Sequence, residues 1–183
     1  MKTIALTVMA IALTSAWSYA AAPTHDYVGV TVCKMCHQTA KNGEQFQKWQ
    51  ASKHAQAYKT LLTPEAQKIA EAKGIKGKAS EAKECLECHE TAYDAPASQL
   101  GPKFNKEDGV QCETCHGPGK DYMKMDIMKD RAKAVANGLT LLSVSDGSAQ
   151  KFCETCHNKK SPTFKEFDFK KMWAQIAHPV PQK

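Results

Sequence analysis

Eight cysteines and seven histidines carry most of the chemistry this 183-residue sequence could perform, and their spacing is regular. The cysteines fall in four pairs, each with two residues between, and each second cysteine is followed at once by histidine. The four motifs are Cys33-Lys-Met-Cys36-His37, Cys85-Leu-Glu-Cys88-His89, Cys112-Glu-Thr-Cys115-His116 and Cys153-Glu-Thr-Cys156-His157. Paired C-x-x-C knuckles can form a four-thiolate zinc site, and a single one can act as a redox dithiol. Neither chemistry requires a histidine after the second cysteine, and here one recurs in all four motifs. Covalent attachment of a c-type haem does require it. Two thiols on one local turn reach the two vinyl groups of a porphyrin, and the adjacent imidazole then lies beneath the iron as proximal ligand. The expectation is four haem c groups, with His37, His89, His116 and His157 as their proximal ligands.

Four irons offer eight axial positions. Beyond the proximal four, His25, His54 and His178 remain, and imidazole is a common haem ligand, so all three are candidate distal ligands. The elements that must position them can be read from periodicity. His54 lies in EQFQKWQASKHAQAYKTLL, where Phe46, Trp49, Lys53, Ala57 and Leu61 recur at helical steps. His178 ends the helical stretch FDFKKMWAQIAH, with Pro179 and Pro181 as stops. His25 precedes the first motif in a segment without clear periodicity, placed to fold back over a haem or to reach a neighbouring subunit. For the eighth position, Asp121 is expected to cap a helix from Tyr122 to Asn137 with Gly138 as its stop. Met125 and Met128 would share a face of that helix, as core packing or as a thioether ligand, unless the position stays open to small molecules.

Two further segments have readable ends. Thr63-Pro64 should start a helix that finishes near Gly74, because threonine caps and proline suits the first helical position. Asp94 to Gly109, rich in proline, glycine and small residues, reads as an irregular loop, and Ser143 to Ser148 as a turn before the fourth motif.

The bulk properties bound the class. Residues 1–20 read as a secretory signal peptide, with Lys2, an apolar run from Ile4 to Leu13 and a small-x-small site at Ser18-Tyr19-Ala20. That implies an exported, periplasmic protein whose residues 21–183 form a single domain. No segment reaches the roughly 20 apolar residues of a membrane span. Large apolar residues are sparse, so four macrocycles would have to supply much of the core. In a chain of this size, with a radius of gyration near roughly 15 Å, they must lie close together. The formal charge of +6 is offset by haem propionates and gives no reason to expect nucleic-acid binding. Lysines such as Lys73, Lys76, Lys78, Lys129 and Lys133 form a solvated face or a steering patch for an acidic redox partner.

Several stretches taken together resemble the tetrahaem cytochrome c-554 family: the order of the four motifs, KWQASKHAQA after the first, CETCHGPG at the third and FDFKKMWAQIAH near the end. The resemblance covers nearly the whole chain after residue 20. It implies a mainly α fold of helices and irregular loops packed around four haems, with little or no sheet. It also implies that His54 serves the third haem and His178 the first. A family histidine that would serve the fourth haem falls where this chain has Met125, Asp126 and Met128. The second haem of the family can be five-coordinate, and His25 is an additional imidazole here.

The function expected is electron transfer between partner proteins rather than catalysis, since no acid–base dyad, nucleophile elbow or phosphate loop is visible. Two alternatives stay open: a small oxidoreductase acting on nitrogen oxides or hydroxylamine at an open haem, and a self-associating subunit of a conductive chain in which His25 ligates a haem of the next copy.

Overall fold

The computed structural model describes residues 25–178, so the expected signal peptide, Pro179 and Pro181 lie outside the described residues. Among these residues the fold is mainly helical. Ten short α-helices are joined by 3₁₀ turns and loops, and the one strand-like pairing is an isolated parallel bridge between Tyr27 and Leu100.

The helices that carry the first three motifs are α1 (Val30–His37), α5 (Lys83–His89) and α6 (Cys112–His116). The fourth motif begins at the last residue of α9 (Ser148–Cys153). Between them run α2 (Gln45–Gln50), α3 (Ala57–Thr60), α4 (Pro64–Ala72), α7 (Met125–Met128) and α8 (Arg131–Ala136), and α10 (Phe169–Ile176) closes the order.

The α4 helix starts as its sequence demands. Thr63 Oγ1 accepts the Ala66 N–H at 3.2 Å, Pro64 occupies the first turn, and Gly74 follows the end at φ +73°. Asp168 caps α10 in the same way, accepting the Lys171 N–H at 3.0 Å.

Two expected helices are divided. The stretch around His54 is not one helix: α2 ends at Gln50, His54–Gln56 forms a 3₁₀ turn, and α3 follows. Ser52 Oγ bonds back to the Trp49 carbonyl at 2.6 Å, satisfying a helix-end acceptor locally. The helix from Tyr122 to Asn137 is likewise split into α7 and α8. Asp130, not Asp121, supplies the cap, accepting the Lys133 N–H at 3.1 Å. The expected methionine face therefore does not exist as one stripe; Met125 is 65% exposed, and Ala134 is the buried residue of α8. Gly138 does end α8, at φ +100°.

The side-chain core is thin. Val30, Phe46, Trp49 and Ala55 form its hydrophobic cluster, with Cys112 packed against it. The largest fully buried side chains are polar: Gln111, Glu113 and Thr91. Large apolar groups such as Met35, Leu62 and Val144 remain exposed. A chain with this balance has apolar surface left to cover, as expected if cofactor forms much of the interior.

Candidate haem-binding site

Each motif turn presents its two thiols and its imidazole from one local segment, and the fold brings the four segments together. The Cys33 thiol lies against Cys112, and this contact together with burial pushes it well above the usual thiol range. Burial and the neighbouring Cys153 push the Cys115 thiol up to about 12. Burial and Cys156 push Cys88 up to about 12, and Cys156 Sγ lies 3.9 Å from the Glu87 carbonyl. The first motif thus touches the third, the fourth touches the second, and the third lies near the fourth. Among the described residues no three His, Cys, Asp or Glu side chains converge as a metal-ion cage. The four-thiolate zinc alternative needs such a cage. A haem does not, because the porphyrin supplies the equatorial donors and the protein only the axial ones.

The imidazoles are paired across the molecule. The rings of His54 and His157 lie 6.1 Å apart at 69°, and those of His116 and His178 lie 6.0 Å apart at 70°. Two imidazoles binding one iron from opposite faces, with metal–nitrogen bonds of about 2 Å and half a ring on each side, stand about 6 Å apart centre to centre. Both pairs fit that requirement.

Hydrogen bonds fix how the rings are turned. His116 Nδ1–H donates to the Thr140 carbonyl at 3.2 Å, and His178 Nδ1–H to the Ile176 carbonyl at 2.7 Å. This leaves both Nε2 atoms free as ligands. His89 Nδ1–H donates to the Ala57 carbonyl at 2.8 Å, and His37 Nδ1 lies 3.3 Å from Gln45 Oε1. Burial lowers the pKa of His54, His116 and His157, with the neighbouring imidazole adding to the effect at His54. Neutral imidazole is the form that binds a metal.

His54 itself is held by its backbone. The Val110 N–H donates to the His54 carbonyl at 3.1 Å, and Trp49 Nε1–H donates to the Val110 carbonyl at 2.7 Å. Gly109 makes this approach possible, because a Cβ there would stand 2.8 Å from the His54 carbonyl oxygen.

This pairing differs from the one the resemblance implied. His54 faces the fourth motif rather than the third, and His178 faces the third rather than the first. The fourth motif, whose family histidine falls where this chain has Met125, Asp126 and Met128, therefore has an imidazole opposite it. Among the described residues His37, His89 and His25 have no ring opposed in this way. Met125 projects into solvent and Met128 is half-buried on the same short helix. His25 Nδ1–H donates to the Asp121 carboxylate at 2.5 Å, and its ring packs on Gly138, where a Cβ would lie 2.9 Å away.

Sequence reasoning missed the residues that hold the motifs together. Glu113 is 2% exposed and its carboxylate accepts three backbone N–H groups: Val28 at 2.8 Å, Gly29 at 2.8 Å and Gly119 at 2.7 Å. The Gln111 side chain accepts the Val30 N–H at 2.8 Å, so α6 supplies the partners for the N-terminal end of α1. On the other side, Thr91 Oγ1 accepts the Gln111 N–H at 2.7 Å, donates to the Gly109 carbonyl at 2.9 Å and lies 2.6 Å from Thr114 Oγ1.

Helical turns that carry C-x-x-C-H, with imidazoles opposed across the gaps, define a c-type cytochrome as the class. Comparison with known proteins is narrower. The family model for cytochrome c554 and c-prime matches residues 32–117, which include the first three motifs. Cytochrome c-554 of Nitrosomonas europaea is 34% identical over 116 residues, covering 60% of this chain and 45% of that protein. The matched stretch thus spans less than half of that relative. No solved structure matches. The family model and the relative agree with each other, and both liken this chain to cytochrome c-554.

Proposed function

We propose that the protein is an exported, periplasmic tetrahaem cytochrome that carries electrons between partner proteins. Haem c would be held through the thiols of Cys33 and Cys36, Cys85 and Cys88, Cys112 and Cys115, and Cys153 and Cys156. His37, His89, His116 and His157 are the proximal ligands, with His178 opposite His116 and His54 opposite His157. The observation that carries this reading is the pair of opposed imidazoles, each joining a motif histidine to a histidine from elsewhere in the chain at the separation one iron needs. Bound haem supplies the one-electron Fe(III)/Fe(II) couple.

The chain's own residues do the rest. The opposed imidazoles would keep small molecules off an iron bound between them, and the Nδ1–H bonds of His116 and His178 hold those two rings in orientation. The proximity of the thiols supports an order of first, third, fourth and second, in which electrons would enter or leave at the first and second motifs. Lys160 lies near enough to Cys88 to influence its thiol. This cation at the second-motif end supports docking of an acidic redox partner there.

A second reading rests on His37 and His89, which lack opposed rings among the described residues. His25, Met125 and Met128 are the remaining candidates to close those sites, in the same chain or, for His25, in a neighbouring copy. A site that none of them closes would admit nitric oxide or hydroxylamine and make the protein a small oxidoreductase.

Intact mass of the exported protein tests the cofactor load: four added haem groups are expected, and fewer would overturn the tetrahaem reading. Electron paramagnetic resonance of the ferric protein separates the functions. Low-spin signals from all four irons, unchanged by cyanide, support the carrier. A high-spin signal that shifts with cyanide supports the oxidoreductase.

A further inference from the structure

Glu113 occupies a position that the electron-carrying role does not explain. It is the first variable residue of the third motif, directly after Cys112, and its carboxylate is sealed from solvent. Its two oxygens meet only donors: Oε1 accepts from Val28 and Gly119, and Oε2 from Gly29. All three partners are N–H donors, which the carboxylate oxygens accept. Among the described residues no lysine, arginine or histidine pairs with this charge. It is a buried anion balanced by backbone dipoles alone.

Its location relative to the attachment points is specific. Cys112 is its chain neighbour, and Cys33 of the first motif lies against Cys112. The carboxylate thus stands at the edge where the porphyrins of the first and third motifs would be attached. Its negative charge disfavours the thiolate at both, although the contact with Cys33 outweighs this at Cys112 and lowers the pKa of that thiol. Glu154, the same residue of the same pentapeptide in the fourth motif, is exposed and bonds only to the Gln150 side chain, at 2.8 Å.

Ferric haem carries one more positive charge than ferrous haem. A fixed anion in a water-excluded site favours the ferric form far more than one screened by solvent. From this geometry we propose that Glu113 is a positioning and tuning residue: its buried carboxylate clamps the segment before α1 onto α6 and lowers the reduction potentials of the haems at the first and third motifs. The inference rests on the tetrahaem reading above.

The experiment is a spectroelectrochemical titration of the mature holoprotein, after intact mass has confirmed four haems. A mass short of four defeats the tetrahaem reading and is distinguishable from a failure of the tuning. E113Q removes the charge at nearly constant shape. At an ambient potential that half-reduces the affected sites in the wild type, the ferrous-to-ferric ratio should rise about tenfold at two of the four haems, equivalent to about 59 mV for a one-electron couple. E154Q should change no haem by more than about twofold, as expected of a solvent-screened carboxylate. E113D keeps the charge and loosens the clamp, so the two haems should stay within about twofold of wild type while the protein unfolds more easily. Unmoved potentials in four-haem E113Q overturn the proposal. So does a tenfold change in E113D, which would assign the effect to geometry rather than charge. If E113Q does not accumulate, E113M is the second charge-removing variant, with the same tenfold rise expected and unmoved potentials again overturning the proposal.

Discussion

The pentapeptide Cys-Glu-Thr-Cys-His occurs twice in this chain, at Cys112–His116 and at Cys153–His157, and the two copies sit in opposite environments. In the first, Glu113 is buried under three backbone N–H groups, two from the distant Val28-Gly29 segment and one from nearby Gly119, and Thr114 meets the buried Thr91 hydroxyl. In the second, Glu154 and Thr155 are exposed and bond only within their own turn, Thr155 Oγ1 to the Phe152 carbonyl at 2.7 Å. The attachment chemistry needs only the cysteines and the histidine. The two intervening positions are therefore free to do something else, and of the two copies only the third motif uses them. It joins the segment before the first motif to the segment after the second, whereas the same two positions of the fourth motif join nothing beyond their own turn.

The widest expected difference between the two copies follows from replacing their cysteines. The double variant C153S/C156S should lose one haem and retain the other three, read as one missing haem in the intact mass. C112S/C115S should fail to accumulate as a folded three-haem protein, because the third motif also organises its neighbours. Equal yields of three-haem protein from both variants would break the comparison.

Next in size is the loss of the carboxylates. E113A leaves three buried N–H groups without acceptors and should cost about 3 kcal/mol or more in denaturant unfolding of the holoprotein. E154A should stay within about 0.5 kcal/mol of wild type. The hydroxyls sharpen the same contrast on a smaller scale. T91V, nearly isosteric, should cost about 1–3 kcal/mol because it strands the Gln111 N–H, whereas T155V should be close to neutral.

The smallest effect concerns pH. Tyr122 O–H donates to the Gly117 carbonyl at 2.7 Å beside the third motif, and burial raises its pKa above the ordinary tyrosine value of 10.0. A raised folded-state pKa means that the native protein holds this proton more tightly than the unfolded chain. The contribution is therefore complete below the ordinary tyrosine value and is lost as pH rises above it. Y122F should cost about 1 kcal/mol at neutral pH and flatten part of the alkaline decline above pH 10, measured by thermal melts across that range.

Part of this organisation could be read from local sequence. Thr63-Pro64 starts α4 and Gly138 ends α8 because caps and stops act over three or four residues. The divided helices show the limit of periodicity. Apolar spacing from Tyr122 to Asn137 suits one helix, but Asp130 in the middle of that run is an equally good cap, and α8 restarts at it. Ser52 competes in the same way with the helix that would have run through His54. Among the site residues, His54 and His178 stood out as spare imidazoles, yet their assignment by resemblance fell on other motifs than the ones they face. Glu113 gave no local signal at all, since Glu154 has the same neighbours on both sides within the motif.

The sequence by itself determined where haem would be attached, because the two thiols and the proximal imidazole of each site lie within five consecutive residues and one turn of backbone sets their geometry. Tertiary structure decided which imidazole faces which motif and which copy of one pentapeptide becomes buried. Those outcomes depend on contacts such as Val28 to Glu113, 85 residues apart, and no pattern within a single turn encodes a partner at that distance.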